Sequence, residues 1–391
     1  MSGKKVICTS LVTTRHWCTI LFIMVFYTGI ATYSQESNIT FSHLSILDGL
    51  SNNTVLCIYQ DSYGYMWFGT RDGLNKYDGY EFEVFRNDPN KQHSLSGNHI
   101  EMIYEDQNKN LWISSESKVL DLYDRETKSF ITIQEHLNDS MIAIDGIVRS
   151  MLHDSRDNLW IGSSDGLMRY SYRSGKMKGF EVDENNILPT KLVNGGVYAL
   201  LEDAYQTVWI GTYQGLSKFN YDSGEFRHYK TQSHRDKGMV DDYILDIHSW
   251  NDSVLLIGTN NAGLLKFNVN SEEFTSFPEL DSRYQLTSVQ KVISDSNYLW
   301  ISSDSGLFSY QMESRNVQFH YHDDRNSSTI SSNNVLNLFK DKAGTIWISH
   351  WHDGISYYNI CENKFEHFKK KPCLNSINNN TVRAINMDQD D

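Results

Sequence analysis

Short apolar segments alternate with short polar turns along most of the chain, and they recur in groups of four. The first segment of a group resembles VLCIY at Val55, the second carries W-I-G or a close variant, and the third follows a Gly-Leu pair such as Gly73-Leu74. The fourth has the pattern F-x-x-F/Y, as in Phe82–Phe85. No segment shows the period of an amphipathic helix. Short strands joined by tight polar turns predict antiparallel meanders.

One tryptophan recurs at a fixed position in the second segment of six groups, and Leu256 fills the same position in a seventh. The six intervals from Trp67 to Trp347 span 280 residues, or roughly 47 residues each. Seven such units fit the stretch from about Phe41 to Lys371. The six tryptophans are Trp67, Trp112, Trp160, Trp209, Trp300 and Trp347.

A four-stranded sheet of this length cannot bury both of its faces by itself. Copies that stack around an axis bury each face against the next copy, as in a propeller. The sequence therefore predicts an all-β, seven-bladed β-propeller of four-stranded antiparallel blades over residues 39–371. The tryptophans are predicted to pack between blades rather than to form a sugar-stacking array, because there is one at the same phase in each repeat. The segment Phe41–Leu44 can supply the outermost strand of the last blade and close the ring, and Phe365–Phe368 would then either compete for that edge or pass to a following propeller.

An aspartate stands six residues before the tryptophan in five copies, where we interpret it as the turn between the first two strands. A calcium loop is the alternative, but no downstream glutamate completes one near Asp154. Copies five and six depart from the pattern: Trp250 takes the aspartate position in one, and the turn at Asp295 is one residue shorter in the other. We therefore assign a structural role in the blades to the tryptophans and to Asp61, Asp106, Asp154, Asp203 and Asp341.

The repeat D-x-x-G-x-[LIM]-W-[IF]-G-T-x-x-G-L-x-x-[YF] is nearly complete at Asp61–Tyr77 and at Asp203–Phe219. It resembles the repeat of the two-component regulator propellers, and the resemblance extends over about residues 41–391. The resemblance implies a periplasmic sensor propeller that detects products of glycan breakdown. In that family an immunoglobulin-like domain, a membrane helix, a histidine kinase, a receiver and a DNA-binding module commonly follow, so the full-length protein is expected to be anchored in the inner membrane.

The two ends of the chain carry further patterns. Basic residues precede the apolar stretch Ile20–Ala31, and Thr32-Tyr33-Ser34 offers a cleavage site, so residues 1–34 are predicted to be a signal peptide, with an N-terminal anchor as the alternative. Residues 379–388 match residues 52–61 in register. Residues 372–391 are therefore predicted to begin an eighth, truncated repeat, and the chain to be a sensor fragment that lacks the kinase.

Composition and spacing argue against several other functions. The net charge of −14 disfavours a nucleic-acid partner. Three cysteines outside the signal, Cys57, Cys361 and Cys373, give no disulfide framework, with a bridge between Cys361 and Cys373 left open as the alternative. The pair His320-x-His322 is explained by alternation along a strand, so neither metal nor cofactor is predicted. The conspicuous acids are locked to the repeat, so the chain is predicted not to be an enzyme. Two alternatives to a sensor stay open, namely a propeller enzyme acting on glycans (a glycosidase or lyase) and a protein-interaction propeller.

The loop after the tryptophan segment varies most between copies, and it is expected to emerge on one face together with the residues before the first strand. Aromatic, amide and charged side chains in these loops suit an oligosaccharide or another small ligand. A homodimer formed through the full-length sensor is a further expected partnership. The candidate ligand-binding residues are Arg71, Asp72, His99, Tyr213, Gln214, Tyr243, Asn260, Asn261, Trp351 and His352.

Overall fold

The computed structural model describes residues 39–137, 144, 146–182, 191–192, 196–230, 243–280 and 286–359. Within these residues the chain forms seven four-stranded antiparallel sheets, which are the blades of a propeller. The predicted all-β, seven-bladed architecture is confirmed. The predicted signal peptide, the last twelve residues of the predicted propeller range (360–371), Cys361, Cys373 and the predicted eighth repeat lie outside the described residues.

Each blade runs from an innermost to an outermost strand in chain order, except that the outermost strand of blade 7 comes from the N-terminus. The strands of blades 1 to 3 are β2 Val55–Gln60, β3 Met66–Thr70, β4 Gly73–Tyr77, β5 Phe82–Phe85; β6 Ile100–Glu105, β7 Leu111–Ser115, β8 Leu120–Asp124, β9 Ser129–Thr132; and β10 Val148–His153, β11 Asn158–Ser163, β12 Leu167–Ser171, β13 Lys176–Phe180. Those of blades 4 and 5 are β14 Val197–Glu202, β15 Val208–Thr212, β16 Gly215–Phe219, β17 Phe226–Tyr229; and β18 Ile244–Asn251, β19 Val254–Thr259, β20 Leu264–Asn268, β21 Glu273–Ser276. Those of blades 6 and 7 are β22 Val289–Ser294, β23 Tyr298–Ser303, β24 Leu307–Gln311, β25 Asn316–His320; and β26 Val335–Lys340, β27 Ile346–His350, β28 Ile355–Tyr358, with β1 Ser42–Leu44.

The N-terminal strand closes the ring, as the sequence predicts. Strand β1 pairs with β28 so that Ser42 lies opposite Tyr357 and Leu44 lies opposite Ile355. A 3-10 helix, Ile46–Asp48, follows and leads into blade 1. One short α-helix, Ile133–Leu137, follows β9 and buries Ile133, although the sequence pattern gave no sign of a helix.

The tryptophans pack between blades. Trp67 is fully buried and contacts Ile100, Ile103 and Tyr123 of blade 2, with 5.0 Å between the centroids of the Trp67 and Tyr123 rings. Large aromatic side chains of this kind bring much of the buried area that holds neighbouring sheets together. Each of the other tryptophans likewise contacts the blade that follows its own in the ring.

The aspartates bind the indoles of these tryptophans. The indole N–H of Trp67 donates to Asp61 Oδ2 at 2.9 Å, while Asp61 Oδ1 accepts the backbone N–H groups of Tyr63 and Tyr65 within the turn. The same indole bond occurs in every blade that has a tryptophan in this position, including the shorter turn at Asp295. One carboxylate therefore both shapes the turn and satisfies a buried donor.

Candidate functional site

The first strands of the seven blades surround a central channel with a volume of about 720 Å³. At one end lie the loops between second and third strands together with the residues that precede the first strands. Backbone hydrogen bonds join the two: Tyr213 N–H donates to Gly196 O at 3.2 Å, and Glu116 N–H donates to His99 O at 3.1 Å. We call this end the upper mouth. All ten predicted binding residues lie in these loops or beside them.

A β-bulge sits at the same place in the first strand of every blade. In blade 3 the pairing with β11 shifts between Val148 and Ser150, so Arg149 has no opposite residue. A bulge re-aims the side chain of the extra residue and increases the local twist. In all seven blades the residue at this second position lines the channel. These residues are Leu56, Glu101, Arg149, Tyr198, Leu245, Gln290 and Leu336.

In blades 2 and 3 the bulged second residue of the first strand is charged, and the two residues form a pair. Arg149 Nη1 lies 3.0 Å from Glu101 Oε2, and His99 Nε2 lies 3.6 Å from Glu101 Oε1. The Glu101 side chain is 15% exposed and that of Arg149 is 34% exposed, so the pair is partly shielded from water yet reachable from the channel. Glu101 and Arg149 were missed in the sequence because nothing in the apolar pattern marks the bulge.

Three tyrosines continue this wall across blades 4 and 5. The Arg149 guanidinium lies 5.6 Å from the centroid of the Tyr198 ring. Tyr198 contacts Tyr243 at 4.6 Å, and Tyr243 contacts Tyr213 at 4.7 Å between ring centroids. Burial, followed by a hydrogen bond with Tyr198, raises the pKa of Tyr243, so its hydroxyl keeps its proton. We call the six residues His99, Glu101, Arg149, Tyr198, Tyr213 and Tyr243 the mouth band.

A second group of predicted residues meets where blade 7 joins blade 1. The Arg71 guanidinium lies 4.4 Å from the centroid of the Trp351 ring. His352 contacts Trp351 at 5.8 Å between ring centroids, and its Nδ1 is 3.3 Å from Thr54 Oγ1. Cation–π contacts of this kind hold an exposed arginine over an aromatic face. We call Arg71, Trp351 and His352 the seam cluster.

The remaining predicted residues belong to neither group. The carboxylate of Asp72 pairs with Arg86 at 3.1 Å, next to the outermost strand of blade 1. The backbone N–H of Gln214 donates to Thr212 Oγ1 at 3.1 Å, and that of Asn260 donates to Tyr243 O at 3.0 Å. Asn261 follows on the exposed tip of the same loop. The structure thus brings His99, Tyr213 and Tyr243 into one band and places the others elsewhere on the rim.

The arrangement offers binding chemistry. Its side chains provide aromatic faces, N–H donors and carboxylate acceptors at the mouth of a preformed cavity. Within the described residues, no cluster of three or more His, Cys, Asp or Glu side chains has a geometry that would hold a metal ion. Nor does the described part of the chain contain a helix of sufficient length and apolarity to span a bilayer.

Known protein families and relatives match this chain within its repeats. The family described as two component regulator propeller matches residues 49–72, 94–117, 191–214 and 329–352. Each match runs from the residues before a first strand to the loop after the second. A relative called histidine kinase P4, from Formosa agariphila, is 43% identical over 74 residues, which are 19% of this chain and 5% of the relative.

Solved structures share the fold. The extracellular domain of a putative hybrid two component system from B. thetaiotaomicron is 25% identical, with a TM-score of 0.68 over 82% of this chain and 42% of that one. A second such domain from B. thetaiotaomicron is 22% identical, with a TM-score of 0.66 over 85% of this chain and 40% of that one. The chain thus spans less than half the length of these extracellular domains.

A streptogramin B lyase has a TM-score of 0.57 at 10% identity, over 82% of this chain and 98% of the lyase, which shows only that the lyase has the same fold. Four of the seven blades therefore contain a segment that matches the two component regulator propeller family, and the other three blades repeat it in phase. The chain is a seven-bladed propeller that is similar to the extracellular domains of putative hybrid two component systems.

Proposed function

We propose that this chain is the periplasmic, ligand-binding propeller of a two-component sensor, and that its ligand is an oligosaccharide bound at the upper mouth. The observation that carries the proposal is the mouth band, a continuous line of aromatic and charged side chains across four blades. These residues differ from blade to blade, whereas the tryptophans and aspartates of the scaffold recur. A repeat fold that keeps its scaffold constant and varies one rim has the organisation of a binding protein.

The residue types of the band suit a sugar. Tyrosine rings offer flat apolar faces on which a pyranose ring stacks, while their hydroxyls remain available for hydrogen bonds. Tyr213 is 51% exposed, so one of its faces is open to a ligand. Glu101 and Arg149 add an acceptor and donors for hydroxyl groups. The cavity beneath the band is about 720 Å³, within the usual range for small-ligand sites.

In this proposal the propeller senses and does not catalyse. Signalling would depend on kinase, membrane anchor and homodimer contacts of a full-length sensor, by analogy with the histidine kinase and hybrid two-component relatives.

A propeller lyase shares the fold, so the absence of turnover needs its own test. Incubation of the chain with a panel of glycans is expected to release no new reducing ends. Reproducible release that one carboxylate substitution abolishes would replace the sensor by the enzyme.

Titration calorimetry with oligosaccharides tests where the ligand binds. Tyr213→Ala is expected to weaken binding by at least fivefold, about 1 kcal/mol, because it removes a stacking face. Trp351→Ala examines the seam cluster in the same way. Tyr205→Ala is the matched control, since Tyr205 lies in the same blade as Tyr213, is 61% exposed, and sits in the turn at the opposite end of the channel. If a ligand binds and neither Tyr213 nor Trp351 matters, the upper mouth is not the site.

A further inference from the structure

We propose that Glu101 and Arg149 are the recognition centre of the mouth band, and that they bind two adjacent hydroxyl groups of an uncharged sugar ring. This inference rests on the proposed function and specifies its ligand class. Both residues stand at the bulged second position of neighbouring first strands, so the fold itself presents them side by side to the channel.

The charges at the mouth favour an uncharged ligand. The Arg149 guanidinium is already neutralised by Glu101 at 3.0 Å, and the other oxygen of Glu101 faces His99 at 3.6 Å. An acidic sugar placed on Arg149 would bring its carboxylate close to that of Glu101, and like charges at such distances discriminate against a ligand. The chain as a whole carries a net charge of −14, which also repels anions at long range.

The pair has unused hydrogen-bonding capacity of the right kind. A guanidinium carries five N–H donors, and the Nε of Arg149 is buried without a hydrogen-bond partner among the residues that the structure describes. The Arg149 side chain as a whole is 34% exposed, and its hydrogen bond to Glu101 uses Nη1, so a ligand oxygen in the channel can accept from the exposed end of the guanidinium. A hydroxyl group both accepts and donates. One sugar hydroxyl can therefore accept from Arg149 while its neighbour donates to Glu101.

The neighbouring tyrosines fix the position of the charged pair and provide the surface for the rest of the ligand. Tyr198 lies against the Arg149 guanidinium at 5.6 Å and holds Tyr243 at 4.6 Å, so the charged pair is fixed at one end of an aromatic wall. A sugar bound through two hydroxyls at Arg149 would place its next ring along Tyr243 and Tyr213. Leu56 and Leu336 fill the equivalent positions in blades 1 and 7, so the bulge position is apolar there and polar in blades 2 to 4.

The test is calorimetry of the chain with two sets of probes. The uncharged set contains hexasaccharides of glucose, xylose, mannose and arabinose, and the acidic set contains hexamers of galacturonate and mannuronate. We expect at least one uncharged probe to bind, and each acidic probe to bind at least tenfold more weakly. Glu101→Gln and Arg149→Lys are each expected to weaken the uncharged probe at least tenfold, because glutamine replaces the charged acceptor by a neutral one and lysine lacks the planar fork of guanidinium donors.

Glu101→Gln makes a second, opposite prediction. It leaves Arg149 without a counter-charge, so binding of the acidic hexamers is expected to strengthen even though that of the uncharged probe weakens. Glu83→Gln is the control, because Glu83 forms a 2.6 Å ion pair with Lys128 on the outer strands, away from the channel, and its loss should leave binding unchanged. Unchanged unfolding midpoints of the variants exclude a folding defect as the cause.

The outcomes separate this inference from the proposed function. If acidic probes bind better than uncharged ones, or if Glu101→Gln and Arg149→Lys change the affinity less than twofold, the recognition centre is wrong while oligosaccharide binding stands. If no probe in either set binds at all, both the ligand class and the proposed function are overturned.

Discussion

At the scale of single residues, the repeat depends on one aspartate. In blade 3 this aspartate accepts hydrogen bonds from its own turn, from the tryptophan of its blade and from the next blade. Asp154 is fully buried, and its carboxylate accepts the backbone N–H of Arg156 and the indole N–H of Trp160 at 2.6 Å. It also accepts the hydroxyl of Tyr221 from blade 4. Buried carboxylates persist only when fully hydrogen-bonded. Blade 5 has Leu256 in place of tryptophan, so no indole N–H needs an acceptor there, and Trp250 replaces the aspartate and packs at the same interface.

Removing this carboxylate should destabilise the fold. Asp154→Ala leaves the indole N–H of Trp160 and several turn donors unpaired, so we expect a loss of about 3–5 kcal/mol in the free energy of unfolding. Asp203→Ala should cost about 1 kcal/mol less, because Asp203 accepts its own turn and indole donors but, within the described residues, no side chain from the next blade. Guanidinium unfolding measures both. A loss below about 1 kcal/mol for Asp154→Ala would contradict this role.

Glycine in the second strand marks a second residue-scale constraint, the close approach of neighbouring blades. A Cβ added at Gly211 would lie 2.7 Å from Ile244 Cγ2 and 3.1 Å from Ala199 Cβ. Gly211→Ala is therefore expected to cost about 1–3 kcal/mol through overpacking. Gly179 is the matched control, because a Cβ there meets nothing within 4 Å, so Gly179→Ala should be neutral or slightly stabilising. Equal unfolding midpoints for the two variants would show that the blades have room to separate.

At the scale of strands, the apolar pattern predicts most of the structure. The order of the strands, the point at which each blade begins and the closing strand all follow from it. Each blade must bury both of its faces, and only one pairing register of its strands places the apolar residues on them. The bulge does not follow, because Arg149 at the second position reads as an ordinary outward-facing residue of an alternating strand. Its companions at that position range from Leu56 to Tyr198, so no residue type marks it. The sequence therefore predicted the loops of the rim and missed the charged pair inside it.

The closing strand carries a buried network of histidine and serine side chains. His43 on β1 contacts Ser331 Oγ at 2.8 Å and Ser356 Oγ at 3.2 Å through Nδ1. His350 on β27 is fully buried and contacts the same Ser356 oxygen at 2.8 Å through Nε2. Three segments of blade 7 thus meet around one hydroxyl. The network joins the N-terminal strand to the rest of the ring.

This network should make the stability of the ring depend on pH. Burial lowers the pKa of His350 to about 3, and it lowers that of His43 as well. The unfolded chain takes up these protons near pH 6.5, so the stabilisation is complete above that pH. For His350 it is lost as the pH falls towards 3, by at most about 1.4 kcal/mol per pH unit, and His43 adds a loss in the same direction. His350→Asn is expected to flatten this dependence between pH 7 and pH 4.

The measurement is the unfolding free energy at a series of pH values for the wild type and the variant. His93→Asn is the control, because His93 is exposed and has a φ of 62°, which asparagine tolerates. It should leave the pH dependence as it is. A wild-type slope that His350→Asn does not change would show that His350 is not the group that titrates.

At the scale of the whole molecule, seven similar blades form a ring whose last joint differs from the others. Six blades are each built from consecutive strands, whereas blade 7 takes a three-residue strand from the opposite end of the propeller. His43 and Ser356, which meet at this joint, are 313 residues apart in sequence. Bringing such distant segments together costs more chain entropy than any other pairing in the ring. The joint between β1 and β28 is therefore where the ring is expected to open first.

A covalent link across this joint tests that expectation. Ser42 and Tyr357 are opposite residues of an antiparallel pair, a geometry whose Cα separation suits a disulfide. The double variant Ser42→Cys, Tyr357→Cys should form the bridge. Its free energy of unfolding, measured with guanidinium, should be about 2–4 kcal/mol higher when oxidised than when reduced, because the bridge closes a very long loop. Tyr357 stacks on Trp347 at 5.0 Å, and losing that contact weakens both forms alike, so the reduced variant is the proper reference.

Peptide mapping assigns the bridge among the chain's cysteines. Free thiols at both positions after oxidation would mean that β1 does not close the ring, and equal oxidised and reduced midpoints would mean that unfolding begins at another joint.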